Sequence, residues 1–336
     1  MNFEQFIRKT VRIVVPLALG FLLLWYLYRD QDLEEMMNII KKGVRYDILL
    51  FSLIFGLGAN VARGYRWGLL IDSLGVRSRR MNDVLAVLGN YAINMVLPRI
   101  GEIWRCGIIT KYEKTSFSKL LGTLLVDRVM DTLVVALVAC CVFAFNIHFF
   151  SQFYSENPTI VDGVYSILSS VWTYVFIGGI IVVFWLLFTR WKHLKIIQKT
   201  KEFIQNIWIG IQSLWKMKHK TRFFVETCLI WGGYFLYFYV TFFAFDFTRD
   251  LGVRIALIAF VMSSIGVAVP VQGGIGVWHF MVIATLTYFG VNKNDAGAFA
   301  MVVFTVQTVW VVVCGLAGIF ALPVVNRKNQ SVKELS

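Results

Sequence analysis

Long apolar blocks separated by short polar runs set the pattern of this chain. The blocks cover 11–28, 47–62, 120–147, 164–189, 223–245, 255–269, 274–290 and 296–322. A helix rises about 1.5 Å per residue, so a membrane core of about 30 Å needs roughly 20 apolar residues. The pattern predicts an all-α, polytopic integral membrane bundle of about seven or eight transmembrane helices, plus re-entrant and interfacial helices. The first block follows Arg8, Lys9 and Arg12, as a signal peptide would. No small-x-small cleavage site follows it; the chain continues Trp25-Tyr26-Leu27-Tyr28-Arg29-Asp30, which reads as a retained span.

Several stretches depart from plain spans. Residues 31–46 place Leu33, Met36, Met37, Ile40 and Val44 at helical spacing, and 201–216 place Phe203, Ile207, Trp208 and Ile211 on one face. Both predict helices lying in the membrane interface. Residues 82–98 are apolar yet carry Asn82, Asp83, Asn90 and Asn94 and end at Pro98. A re-entrant segment enclosed by other helices suits them better than a lipid-facing span. For 255–290 two topologies remain open: two full crossings, or two half-helices meeting at Pro270 and Gly273-Gly274.

Composition narrows the class. Hydrophobic residues make up 58% of the 336, above the roughly 45–50% of a soluble domain. The net charge of +13 comes mainly from loops, which predicts positive-inside topology and no nucleic-acid partner. Residues 62–80 and 190–222 are basic, whereas 148–163 hold Glu156 and Asp162 and no Lys or Arg. Both termini are thus expected on the cytoplasmic side of the cell membrane, with 323–336 as a short polar tail. The five cysteines show no metal-ligand spacing and read as small hydrophobes, so no metal and no cofactor is expected.

The chemistry concentrates between Arg63 and Asp131. Asp127, Arg128 and Asp131 fall inside an apolar block, where each charge costs roughly 2.5–3.5 kcal/mol on insertion scales. They must face the protein interior or a wet cavity, and Asp127 and Asp131, four apart, share one helix face. Glu102 and Arg105, three apart, also share a face if helical. Pro98 and Gly101 would break the chain, and a helix starting there would aim its free N–H groups at the break. With Arg99 and Arg105 nearby, this resembles a phosphate site, because guanidinium binds phosphate oxygens bidentately. The alternative is a closed ion-pair network of Arg99, Glu102, Arg105, Asp127, Arg128 and Asp131 that only fixes packing.

A second stretch, Pro270-x-x-Gly273-Gly274-x-Gly276, predicts a broken helix with exposed backbone, or a tight surface loop. His279 follows it without a ligand-type neighbour in sequence and reads as a packed or interfacial histidine.

These motifs, taken together, resemble the lysylphosphatidylglycerol synthase transmembrane-region family, flippase-like membrane proteins. Arg63-x-x-Arg66-Trp67, Pro98-x-x-Gly101-Glu102-x-x-Arg105, Asp127-Arg128-x-x-Asp131 and the Pro270–Gly276 run carry the resemblance, which extends from about Gly56 to Leu322. His279 departs from it, since the family commonly has Glu three residues after the last glycine. The resemblance implies movement of lipids between leaflets. About a dozen polar residues follow Leu322, too few for an aminoacyl-transferase domain, so lipid lysinylation is not expected.

The function expected is therefore a non-enzymatic lipid flippase or lipid-binding transporter. Arg99, Arg105 and Arg128 would hold the phosphate, Arg63 and Arg66 would belong to the same polar region, and Glu102, Asp127 and Asp131 would orient the arginines or meet a cationic headgroup. Pro98, Gly101, Pro270, Gly273, Gly274, Gly276 and His279 would shape the breaks and the cavity. Expected partners are membrane lipids, either anionic phospholipids or polyprenyl phosphates, with self-association or contact with envelope-lipid enzymes left open. The rival readings are a membrane-embedded enzyme on lipid-linked phosphates and a non-transporting scaffold. Asp127 and Asp131 could in principle hold Mg²⁺, but the surrounding arginines disfavour a cation.

Overall fold

The computed structural model describes residues 31–97, 99–147, 212–268 and 272–331, with parts of 22–29 and scattered positions between 151 and 209. Pro98, Pro270, most of the blocks 11–28 and 164–189, and part of 201–216 lie outside the described residues. Ten α-helices are named here: α1 Leu33–Lys42, α2 Tyr46–Asp72, α3 Arg80–Val96, α4 Ile100–Glu113, α5 Phe117–Phe145, α6 Ser213–Lys216, α7 Lys220–Tyr239, α8 Gly252–Ala268, α9 Val277–Tyr288 and α10 Lys293–Ser331. The fold is all-α, as expected. Among the described residues, the only β pairing is an isolated bridge, Val44 with Phe245.

Among the described residues, four stretches are long and apolar enough to cross a membrane: Tyr46–Asp72, Phe117–Phe145, Lys220–Ala244 and Lys293–Arg327. They keep large apolar side chains on the outer surface of the bundle, where lipid would solvate them; Leu133, Leu137, Phe224, Leu229, Val309 and Phe320 are all exposed. α1 differs. Asp32 caps it by accepting from the backbone N–H groups of Glu34 and Glu35 at 2.9 and 3.1 Å. Met36 turns inward while Met37 on the neighbouring face is exposed, as an interfacial helix requires.

The direction of each helix follows from its contacts. α2 runs from the end holding the Val44–Phe245 bridge to an end rich in Arg79, Arg80 and Arg327, called here the basic end. α5 and α7 run antiparallel to α2. The pairs Arg63–Asp131, Arg66–Asp127 and Trp67–Thr123 fix the first register. Tyr237 beside Gly56, Tyr234 on Asn60 and Thr227 on Arg66 fix the second.

Two shorter pairs do not cross. α3 and α4 span about 25 and 21 Å, and α8 and α9 about 25 and 18 Å, all short of a 30 Å core. The base of the α3–α4 hairpin sits at the basic end, where Glu113 accepts from the Arg79 backbone N–H at 3.1 Å and from Asn82 Nδ2 at 2.6 Å. The α8–α9 hairpin enters from the opposite end, where Arg254 Nε donates to Asn146 Oδ1 at 2.7 Å. Their tips meet: α3 packs on the 3₁₀ turn Gln272–Gly274, and a Cβ on Gly273 would lie 3.4 Å from Met95 Sδ. The sequence left 255–290 open between full crossings and half-helices, and the structure has the half-helices. Positive φ at Gly273, Gly274 and Gly276 (61°, 74° and 83°) supplies the reversal that an L side chain resists.

Small residues let these hairpins nest. α3 lies in a groove of α10, where Cβ atoms on Gly315 and Gly318 would come within 2.8 Å of Leu88 O and 3.0 Å of Leu85 O. At the base, Asn82 and Asn326 exchange amide hydrogen bonds of 3.1 and 2.7 Å, on a helix that continues through Pro323 to Ser331.

Gly101 closes the first hairpin. Its N–H donates to Asn94 Oδ1 at 2.9 Å, and an added Cβ would lie 2.9 Å from the Asn90 carbonyl carbon. Gly101→Ala should therefore splay α3 from α4 and cost about 1–3 kcal/mol. The expected outcome is a lower melting temperature of the detergent-purified protein, with Gly107→Ala, which meets open space, as the unaffected control.

Candidate functional site

Burying Asp127 and Asp131 on one face of α5 requires cations on a facing helix, and α2 supplies them at Arg63 and Arg66. Arg66 is fully buried. Its Nη2 donates to Asp127 Oδ1 and to Asp131 Oδ1, each at 2.6 Å, and its Nε reaches Asp127 Oδ1 at 3.1 Å. Its Nη1 donates to Thr227 Oγ1 on α7 at 3.4 Å, and the Phe223 ring covers it at 5.5 Å. Arg63 Nη1 donates to Asp131 Oδ2, and its guanidinium stands 5.6 Å from the Tyr234 ring. One arginine thus ties three helices together.

α4 brings the third arginine. Arg105, fully buried, donates from Nη2 to Asp127 Oδ2 at 3.2 Å and stacks 4.1 Å over the Trp67 ring. Trp67 Nε1 in turn donates to Thr123 Oγ1 at 3.1 Å, which holds the ring face toward Arg105. Arg128 and Glu102 form the accessible side, with side chains 34% and 25% exposed. Arg128 lies 3.5 Å from Asp127 Oδ2 and 3.6 Å from Glu102 Oε1, without a hydrogen bond to either.

The cluster is not balanced. Arg63, Arg66, Arg105 and Arg128 face Asp127, Asp131 and Glu102, four positive charges against three negative, a surplus of one. Arg105 Nε and Nη1, Arg128 Nε and Nη2, and Arg63 Nε are buried without an acceptor among the described residues. Buried guanidinium N–H groups left unpaired are costly, and an anion is the kind of group that would satisfy them.

An apolar cavity of about 350 Å³ adjoins the cluster. Val135 lines it one turn beyond Asp131 on α5, and Tyr234 lines it beside Arg63. Tyr234 donates to Asn60 Oδ1 at 2.7 Å and pairs with Tyr91 at 3.0 Å between hydroxyl oxygens. Met95 and Gly273, at the tips of the two hairpins, also line it.

The structure brings together Arg63, Arg66, Glu102, Arg105, Asp127, Arg128 and Asp131, seven of the eight residues expected at the phosphate site. Arg99 stands apart: it is exposed at the hairpin tip with φ of 64° and takes no part in the cluster. The expected helix-end anion site is also partly closed, because Asn94 occupies the Gly101 N–H. Gly273, Gly274 and Gly276 shape the second tip, and His279 is buried beyond it. Sequence reading missed Trp67, Thr123, Thr227 and Tyr234 as parts of the site. Trp67 was visible inside Arg-x-x-Arg-Trp; the other three sit in apolar blocks as single polar atoms, with no pattern to mark them.

The hydrogen bonds rank the arginines. Arg66→Ala strips Asp127 and Asp131 of their main partner inside the membrane and should cost about 3–5 kcal/mol. Arg105→Ala leaves Asp127 held by Arg66. Size-exclusion chromatography of detergent extracts should show loss of monodisperse protein for the first variant and retention of most of it for the second. The reverse order would show that Arg105 carries the fold.

A family model described as the lysylphosphatidylglycerol synthase TM region matches residues 13–315, which contain the whole ion-pair cluster and both hairpins. No curated protein and no solved structure matches the chain. With most of its length covered, the chain belongs to the lysylphosphatidylglycerol synthase transmembrane-region family.

Proposed function

We propose that this protein binds the phosphate of an anionic lipid, a phospholipid or a polyprenyl phosphate, and carries it between leaflets of the cell membrane without altering it covalently. One observation carries this reading. Within a bundle that lipid solvates, four guanidiniums meet three carboxylates, and buried N–H groups of Arg105 and Arg128 have no acceptor among the described residues, beside the partly exposed Arg128–Glu102 side of the cluster. A closed structural network would balance its charges and satisfy its donors. A lipid phosphate supplies the missing charge and oxygens, and the apolar cavity beside Tyr234 and Val135 accommodates part of an acyl or prenyl chain.

The hairpins fit the same role. Two broken helices entering from opposite ends place irregular backbone at mid-depth, where it is tolerated only against protein or a cavity. The Lys and Arg excess near Arg79, Arg80 and Arg327 supports a cytoplasmic basic end, so the cluster would load lipid from the inner leaflet.

Reconstitution tests the reading. Liposomes holding the protein and a fluorescent phosphatidylglycerol should expose the label to an external quencher faster than empty vesicles do. Arg105→Ala or Arg128→Ala should slow that exchange by about tenfold or more, the equivalent of one charge-assisted hydrogen bond. No exchange above empty vesicles with phosphatidylglycerol, phosphatidylethanolamine or polyprenyl phosphate would sink it.

A further inference from the structure

His279 opens α9 three residues after Gly276 and is buried among rings: Phe304 at 4.5 Å, Trp278 at 5.5 Å and Tyr28 at 6.1 Å between centroids. It is 4% exposed, and its Nδ1 has no hydrogen-bond partner. It takes no part in the arginine–aspartate cluster. Yet an imidazole carries one donor and one acceptor, and leaving either unpaired in an apolar setting costs about 1–3 kcal/mol.

The histidine lines a second cavity of about 360 Å³, with Trp25 and Tyr28 on one side and Ile275, Met301 and Thr305 on the other. Phe304 lines both cavities, while Trp278 faces the inner one and His279 the outer. A single aromatic layer therefore separates the space next to the arginine cluster from the space next to His279. Trp25, 63% exposed, and Thr305, also exposed, bring this cavity's wall to the protein surface.

The lining decides what fits. Among the described residues no charged side chain lines this cavity; Arg29 stands over the Trp25 and Tyr26 rings and is not part of its wall. A phosphate here would be left without a counter-charge, at high cost in the membrane. An ester carbonyl or a hydroxyl carries no charge and needs one hydrogen bond, which is what His279 offers. We propose that the outer cavity is a second lipid subsite that takes the uncharged glycerol ester region of a glycerolipid, hydrogen-bonded by His279. The proposal extends the lipid-handling reading above and rests on it for the presence of lipid cargo, but it concerns different residues and a different part of the lipid.

Diacylglycerol isolates this subsite, because it has the glycerol esters and no phosphate. The full-length protein in detergent is photolysed with a diazirine-bearing diacylglycerol, and labelled peptides are mapped by mass spectrometry. Label is expected on the segments holding Ile275 and Met301. His279→Phe, which keeps ring packing and removes the hydrogen bond, should lower it by about tenfold; His279→Gln should retain it. Monoolein should displace the label from the wild-type protein, and hexadecane should not. Equal labelling of His279→Phe, or equal competition by hexadecane, would overturn the assignment even where that variant folds poorly. Arg105→Ala should leave this labelling unchanged. Failure of the phosphate reading would show instead as phosphatidylglycerol exchange that ignores Arg105.

Discussion

The rest of the structure depends on Arg66 meeting Asp127 and Asp131. Two carboxylates one turn apart in a membrane-crossing helix are admissible only if cations reach them away from lipid. Arg66 reaches both with one nitrogen while a second nitrogen contacts α7. That single side chain fixes the register of α2 against α5 and of α2 against α7. With those three helices set, α3 packs against another side of α2. Gly64 and Gly68 mark that side, since Cβ atoms there would run into Val84 and into the Arg80–Asp83 pair of α3.

The hairpins follow from the same economy of polar groups. A chain break at mid-depth leaves backbone N–H and C=O groups that lipid cannot satisfy, so each break needs protein around it. Asn94 serves the first by accepting from Gly101. α10 and α3 close over it through Gly315 and Gly318, where backbone meets backbone closely enough to exclude lipid. The second break is folded tightly on itself, with Gly274 against Val267 and Gly266 against Val277. Two breaks entering from opposite ends can cover one another, and the contact of Met95 with the Gly273 turn is where they do so.

Much of this was legible in the residues. Charges within an apolar block demand partners, and the spacing of Asp127 and Asp131 put them on one face. Asn90, Asn94 and Pro98 argued for a re-entrant segment, and the described chain around them folds as one. What the sequence could not show is which arginines answer the aspartates. Arg99 lies only two residues from Gly101 and looked like a site residue; its left-handed backbone turns it outward at the tip. Arg63 and Arg66, more than sixty positions away, take that place because antiparallel packing brings distant positions level. Helical periodicity encodes faces and leaves pairings between helices undetermined. Single polar atoms such as Thr227 and Tyr234 are equally silent until a neighbour gives them a partner.

The charge imbalance at the cluster gains its meaning from the membrane. On a soluble surface a spare guanidinium is solvated and signifies little. Here Arg105 is sealed between Trp67 and Asp127, and only Arg128 and Glu102 open outward. Glu102 stands 3.6 Å from Arg128 without a hydrogen bond, near enough to hold the guanidinium in place and loosely enough to yield to a stronger acceptor. Under the proposed function, a phosphate, with more charge and more oxygens than that carboxylate, would win the competition without disturbing Arg66, on which the fold rests. On that proposal binding and folding would draw on different arginines of one cluster, and the site could release its ligand while the bundle stays assembled.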